Sequence, residues 1–294
     1  MFKPFNLQPK SQNTMESFFS FLEKRVDDCS SLLCIGLDPH VSDLPAPTAA
    51  AARDFCLTLV KQTSRYAAAF KPNAAFFEVF GADGWTALKE VIDAIQDESN
   101  RMGSMIPVIL DAKRGDIAST AEAYAKSTFE NLDADCITLS PYLGKDSIEP
   151  FLHYSQKGVF LLCKTSNPGS GDLQDLMVTV DDDPQTTVPL YEHVAKLAQQ
   201  WNTRNNIGLV VGATHIEAMK RVRAAAPDLW FLAPGVGAQG GELEAALKAG
   251  LRRDGKGLLL NVSRSIARAE KPGRAAAELR DEILQIQSSI FGHR

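Results

Sequence analysis

Along the chain, short uninterrupted apolar runs alternate with longer stretches in which apolar residues recur at helical spacing. The short runs cover residues 32–38, 66–73, 105–110, 135–140, 158–164, 207–212, 229–234 and 257–262. Most lack polar alternation, which predicts strands covered on both faces, as in a parallel sheet. The stretches between them predict helices over 48–65, 83–100, 116–131, 145–156, 189–202, 214–226 and 242–248, with a last helix after Pro272. An additional helix from Met15 carries Phe18, Phe19, Leu22 and Val26 on one stripe, placed to plug one end of the fold.

Eight strand-then-helix units predict an α/β protein, a (β/α)8 TIM barrel with an extra N-terminal helix. Alternation alone also fits a doubly wound open sheet. Charged or small polar residues collect after the first, second, third, fifth, seventh and eighth strands, which favours the barrel, because there those loops share one face. Residues 1–14 read as a loosely held arm, and 15–294 as one barrel domain. Residues 169–187, rich in Gly, Asp, Pro and Thr, read as the longest structureless connection and as a mobile cover.

The third strand is the most informative, because it ends in Asp111-Ala112-Lys113-Arg114-Gly115-Asp116-Ile117. Residues two apart on a strand face the same way, so Asp111 and Lys113 project together beyond its tip. Asp116 stands where the next helix should begin, as an N-cap. A salt bridge plus a helix cap would account for these three charges structurally. A lysine between two acids is also held in its charged form, which suits it to give a proton and not to act as a Schiff base.

The net charge of -5 gives no electrostatic footprint for nucleic acid or an acidic membrane, so an anionic ligand must be held by local groups. Two segments suit one. The run from Pro234 to Gly241 offers closely spaced backbone N–H groups, and Arg264 follows the eighth strand, the usual pair of phosphate-binding loops in a barrel. The five cysteines are odd in number and widely spaced, and read as buried free thiols of a reducing compartment. No metal-ligand spacing and no long apolar segment is present, so the expectation is a metal-free, cytoplasmic protein that does not enter membranes.

Six segments in one order resemble the orotidine 5′-monophosphate decarboxylase family: Leu37-Asp38, the run from Phe70 to Asn73, that from Asp111 to Ile117, that from Thr165 to Gly169, that from Pro234 to Gly241, and that from Ser263 to Ile266. The chain length, the Thr-Ser-Asn-Pro-Gly segment and the N-terminal extension resemble its longer-chain bacterial branch. The resemblance implies cofactor-independent loss of CO₂ from orotidine 5′-monophosphate to give UMP, the last step of de novo pyrimidine synthesis. It further implies a charged tetrad of Lys71, Asp111, Lys113 and Asp116, with Lys113 protonating the ring and Asp116 lent across a homodimer interface. Asp38 and Lys71 would hold the ribose, Ser166 the pyrimidine amide, and Gln239 and Arg264 the phosphate.

Two other readings compete. A Mg²⁺-dependent sugar-phosphate aldolase or decarboxylase of the same superfamily would need an acidic ligand near the second strand tip, where Lys71 stands. A non-catalytic nucleotide-binding barrel would carry the phosphate groups without turnover. His215 reads as a surface residue at a helix start, the run from Asp181 to Asp183 as a solvated loop, and Arg114 as an exposed side chain available to a partner.

Overall fold

A computed structural model describes residues 16–180, 186–235 and 240–292. Helix α1 (Phe18–Cys29) leads to strand β1 (Leu33–Leu37), α2 (Ala49–Thr63) and β2 (Ala69–Pro72). A short α3 (Ala75–Glu78) and a long α4 (Gly81–Met102) precede β3 (Ile109–Arg114), α5 (Ala118–Lys126), β4 (Cys136–Leu139) and α6 (Glu149–Leu152). After β5 (Gly158–Lys164) come a helical turn, α7 (Gly171–Gln174), two short strands, β6 (Met177–Thr179) and β7 (Thr187–Pro189), and α8 (Leu190–Trp201). The chain continues through β8 (Ile207–Val211), α9 (Ile216–Ala225), β9 (Phe231–Pro234), α10 (Gly240–Gly250), β10 (Leu258–Val262), α11 (Arg264–Ala267) and α12 (Pro272–Phe291).

Eight of these strands form one parallel sheet in the order β2-β1-β10-β9-β8-β5-β4-β3. Bridges Phe70↔Val108 and Asn73↔Asp111 join its two ends, with the Phe70 N–H donating to Pro107 O at 3.0 Å. The result is a nearly closed (β/α)8 barrel, in which every strand neighbours the next in sequence and all C-terminal tips open on one mouth. Strands β1, β2, β4 and β8 are buried along their whole length, as their unbroken apolar runs require.

The extra helix closes the opposite mouth. Ser17 caps α1 by accepting the Ser20 N–H, and Phe18 and Phe19 are fully buried. The Phe19 ring meets Phe160 edge-on at 5.4 Å and stacks on Trp230 at 6.4 Å. Gly208 makes room for this plug: a Cβ there would stand 2.6 Å from Phe160 and 2.8 Å from Phe19. Arg25 ties the same helix to the barrel floor, its buried guanidinium donating to Ala67 O and Ser64 O.

Several expectations need correction. The connection of residues 169–187 is not structureless, because α7 lies within it and β6 pairs antiparallel with β7 through Val178↔Val188. Two triplets, each with a β-branched Val and Thr, suffice for that ribbon, and the surrounding polar composition hid them. The run from Asp181 to Asp183, the N-terminal arm and the last two residues lie outside the described residues. The segment 145–156 is a 3₁₀ turn followed by the single turn α6, and the helix expected over 116–131 starts only at Ala118 and ends in a π-helical turn, Ser127–Asn131. Asp116 is not its N-cap. Ile117 holds that position, Asp116 Oδ1 accepts the Ile117 N–H at 2.8 Å, and a left-handed backbone at Ala118 (φ 48°) delays the helix.

Candidate active site

The mouth formed by the strand tips gathers most of the residues singled out above. Lys71 is the third residue of β2, and Asp111 and Lys113 lie in β3. Lys71 Nζ donates to Asp111 Oδ2 at 2.7 Å, and Lys113 Nζ donates to Asp111 Oδ1 at 2.5 Å. One carboxylate therefore bridges two ammonium groups. Lys71 is 4% and Asp111 8% exposed, whereas half of the Lys113 side chain is exposed, so Lys113 is the most open of the three to a ligand.

Burial is the largest single influence on both members of the inner pair, and it opposes their charges. At Asp111 the attraction of Lys71 and Lys113 outweighs it and holds the carboxyl well below the usual carboxylate range. At Lys71 burial lowers the ammonium pKa, but Asp111 and Asp38 together carry it above its ordinary value. Both groups stay ionised at neutral pH, as a fixed dipole beneath the mouth.

Asp38 follows β1 and is half-buried, with Oδ1 shielded from solvent and without a hydrogen-bond partner. A buried acceptor left open at a cleft is suited to a ligand hydroxyl. Beside it Gly36 permits close approach of the first and last strands, since a Cβ there would stand 1.9 Å from Ser263 Oγ. Arg264 opens α11 just beyond, exposed and without an acidic partner among the described residues. Ser166 is exposed after β5, and its Oγ lies 3.8 Å from the Cβ position of Gly235, the first glycine of the run from Pro234 to Gly241. Gln239 lies outside the described residues.

Asp116 is the member of the expected tetrad that the single chain does not bring in: among the described residues it makes no ion pair with Lys113. Arg114 is half-buried, not exposed; it pairs with Glu78 and lies 5.0 Å over the Tyr124 ring, so both partners come from its own chain. His215 is half-buried at the N-cap of α9, with a shielded and unpartnered Nε2, where a surface ring was expected. In the turn before the helix the His215 N–H donates to Gly212 O at 3.3 Å. Among the described residues no group of three or more His, Cys, Asp or Glu could hold a metal ion.

Two polar residues of the mouth went unread in the sequence. Asn261, in an otherwise leucine-rich β10, has a buried Oδ1 without a partner, and Thr138, in β4, is 2% exposed and touches Asp111. The available signal was the same for both, a hydrogen-bonding side chain inside an apolar strand.

Residues 31–279 match the model of the orotidine 5′-phosphate decarboxylase / HUMPS family. The orotidine 5′-phosphate decarboxylase of Roseiflexus castenholzii is 47% identical over 278 residues, covering 93% of this chain and 97% of the relative. That of Methylibium petroleiphilum is 45% identical over 280 residues, 92% of this chain and 96% of the relative. Among solved structures, the OMP decarboxylase of Leishmania donovani superposes with a TM-score of 0.82 at 55% identity, covering 92% of this chain and 99% of its own.

Proposed function

The chain belongs to the orotidine 5′-phosphate decarboxylase family, and from that premise we propose how its strand-tip charges turn orotidine 5′-phosphate into UMP. The reaction breaks the bond between C6 of the pyrimidine and its carboxylate. The electron pair stays on C6, CO₂ departs, and C6 takes up a proton. The single observation that carries the assignment of roles is the Asp111 carboxylate held between Lys71 and Lys113 at the open end of the barrel.

In this reading Lys113 is the proton donor. Its ammonium stabilises charge developing on C6, gives that carbon its proton, and regains one from solvent after turnover. Asp111 fixes the Lys113 side chain and faces the departing carboxylate, where its charge disfavours the bound ground state. Asp38 and Lys71 hold ribose hydroxyls, Ser166 the pyrimidine amide, and Arg264 with Gln239 the phosphate. Binding energy from the phosphate offsets the cost of bringing an anion beside Asp111. A cation at Lys71, 2.7 Å from Asp111, occupies the place where a Mg²⁺-dependent sugar-phosphate enzyme needs a carboxylate, which disfavours that alternative.

The working unit in this reading is a homodimer in which Asp116 completes the partner's site. Exposed apolar residues on three neighbouring tip loops support it: Val79 (69% exposed), Ile117 (52%), Tyr142 (78%) and Leu143 (47%), with Asp116 beside Ile117. Five buried free thiols are in keeping with a cytoplasmic enzyme. No helix among the described residues is long and apolar enough to cross a membrane.

The test is the loss of substrate absorbance in the presence of EDTA, comparing the unaltered protein with Lys113→Ala. Turnover that resists the chelator and falls by about 10²–10⁴-fold in a folded Lys113→Ala variant is the expected result. Full activity of that variant would remove Lys113 from the role of proton donor.

A further inference from the structure

Strands β3 and β4 fall out of register at the reaction centre. Leu110 pairs with Ile137 and Arg114 with Leu139, so Asp111, Ala112 and Lys113 stand opposite the single residue Thr138. A bulge of this kind bends the strand and leaves backbone groups without ladder partners. Here Lys113 takes a left-handed backbone, φ 46°, which is uncommon for a residue with a side chain.

The Thr138 hydroxyl replaces the missing ladder. Its Oγ1 accepts the N–H of Ala112 at 3.1 Å and that of Lys113 at 3.0 Å, and donates to Asp111 Oδ1 at 3.0 Å. A hydroxyl has one donor and two acceptor sites, and all three are used. Because both lone pairs receive N–H groups, the proton must point at Asp111. One buried atom thus fixes the backbone that carries Lys113 and the carboxylate that orients its ammonium.

We propose that Thr138 is a positioning residue of the decarboxylation, its hydroxyl holding the bulge that aims Lys113 at the reacting carbon. This rests on the reading of Lys113 as proton donor. Thr138→Val keeps the shape but leaves two backbone N–H groups without an acceptor, so the bulge relaxes and Lys113 moves relative to Asp111. Thr138→Ser keeps the hydroxyl. Thr138 bonds Oδ1 of Asp111, the oxygen shared with Lys113, whereas Lys71 of the ribose set holds Oδ2 and Thr138 touches none of the groups assigned to phosphate, so UMP affinity is the readout that separates positioning from general damage.

The experiment measures kcat for orotidine 5′-phosphate and the Kd of UMP for Thr138→Val, Thr138→Ser and Lys113→Ala, each checked for native circular dichroism. The expected result is a kcat lowered about 10²-fold in Thr138→Val, the scale of a small misplacement of a catalytic group, with UMP Kd unchanged and kcat restored by serine. If Thr138→Val does not fold, Thr138→Cys takes its place, since a buried thiol of similar size accepts N–H groups poorly. An unaltered kcat in the valine or cysteine variant, or UMP affinity lost in step with kcat, overturns the proposal. An inactive Lys113→Ala beside a fully active Thr138→Val would remove only the positioning role, whereas a fully active Lys113→Ala would remove the proton-donor reading and the proposal with it.

Discussion

Asp111 is the residue on which the site's charge balance depends, and its environment sets a definite pH dependence. Lys71 and Lys113 depress its pKa below the ordinary 3.8, so the stability it contributes is fully present above that value and is lost only as pH falls through the lower, folded one. Lys71 has the opposite sign. Its pKa is raised above 10.5, and its contribution is complete below that value and lost as pH rises through the folded one. Between these limits neither group titrates. A ¹³C-NMR titration of the Asp111 carboxyl should therefore show no midpoint at or above 3.8, and one found there would contradict the double ion pair. The charges themselves were legible in the sequence, because a strand places alternate side chains on one face. The hydroxyl of Thr138 was not, since its role depends on a register shift between two strands that no single-strand pattern encodes.

At the scale of elements, the turn after β5 shows how a helical segment can hold Ser166, the residue proposed to bind the pyrimidine. Gln174, in α7, accepts the Thr165 N–H at 2.9 Å and donates to Thr165 Oγ1 at 2.8 Å. Alongside, the buried Lys164 donates to Asp175 Oδ1 at 2.7 Å and to Ser170 Oγ at 3.2 Å. These bonds clasp the backbone on the N-terminal side of Ser166. Gln174→Leu leaves the Thr165 N–H without its acceptor, and UMP affinity should fall about 10-fold, a loss on the scale of one hydrogen bond. Ribose 5-phosphate, which lacks the pyrimidine that Ser166 is proposed to hold, should bind as before. Equal losses for both ligands, measured by calorimetry, would show that the clasp does not act through Ser166. The eight barrel strands and most of their helices were readable from apolar periodicity, because each element buries a continuous face. The clasp and the β6–β7 ribbon were not, because they depend on a few side-chain bonds and two short triplets within a polar stretch.

At the scale of the whole molecule, the single chain assembles three members of the expected charged tetrad and leaves Asp116 outside it, next to exposed Ile117. A two-fold dimer would resolve both features, burying the apolar tips of neighbouring loops and exchanging Asp116 between identical sites. Complementation separates this arrangement from a self-contained barrel. In a mixed dimer of Lys113→Ala with Asp116→Ala chains, one site carries both defects. The other combines the intact Lys113 of the second chain with the intact Asp116 of the first. Unfolding and refolding an equal mixture of the two inactive variants should give half mixed dimers, each with one intact site, and recover about a quarter of the activity of the unaltered protein. If every site were built within one chain, each subunit would keep its own defect and mixing would recover nothing. Sedimentation of the mixture checks that dimers form, so that a failure to recover activity is assigned to the site and not to assembly.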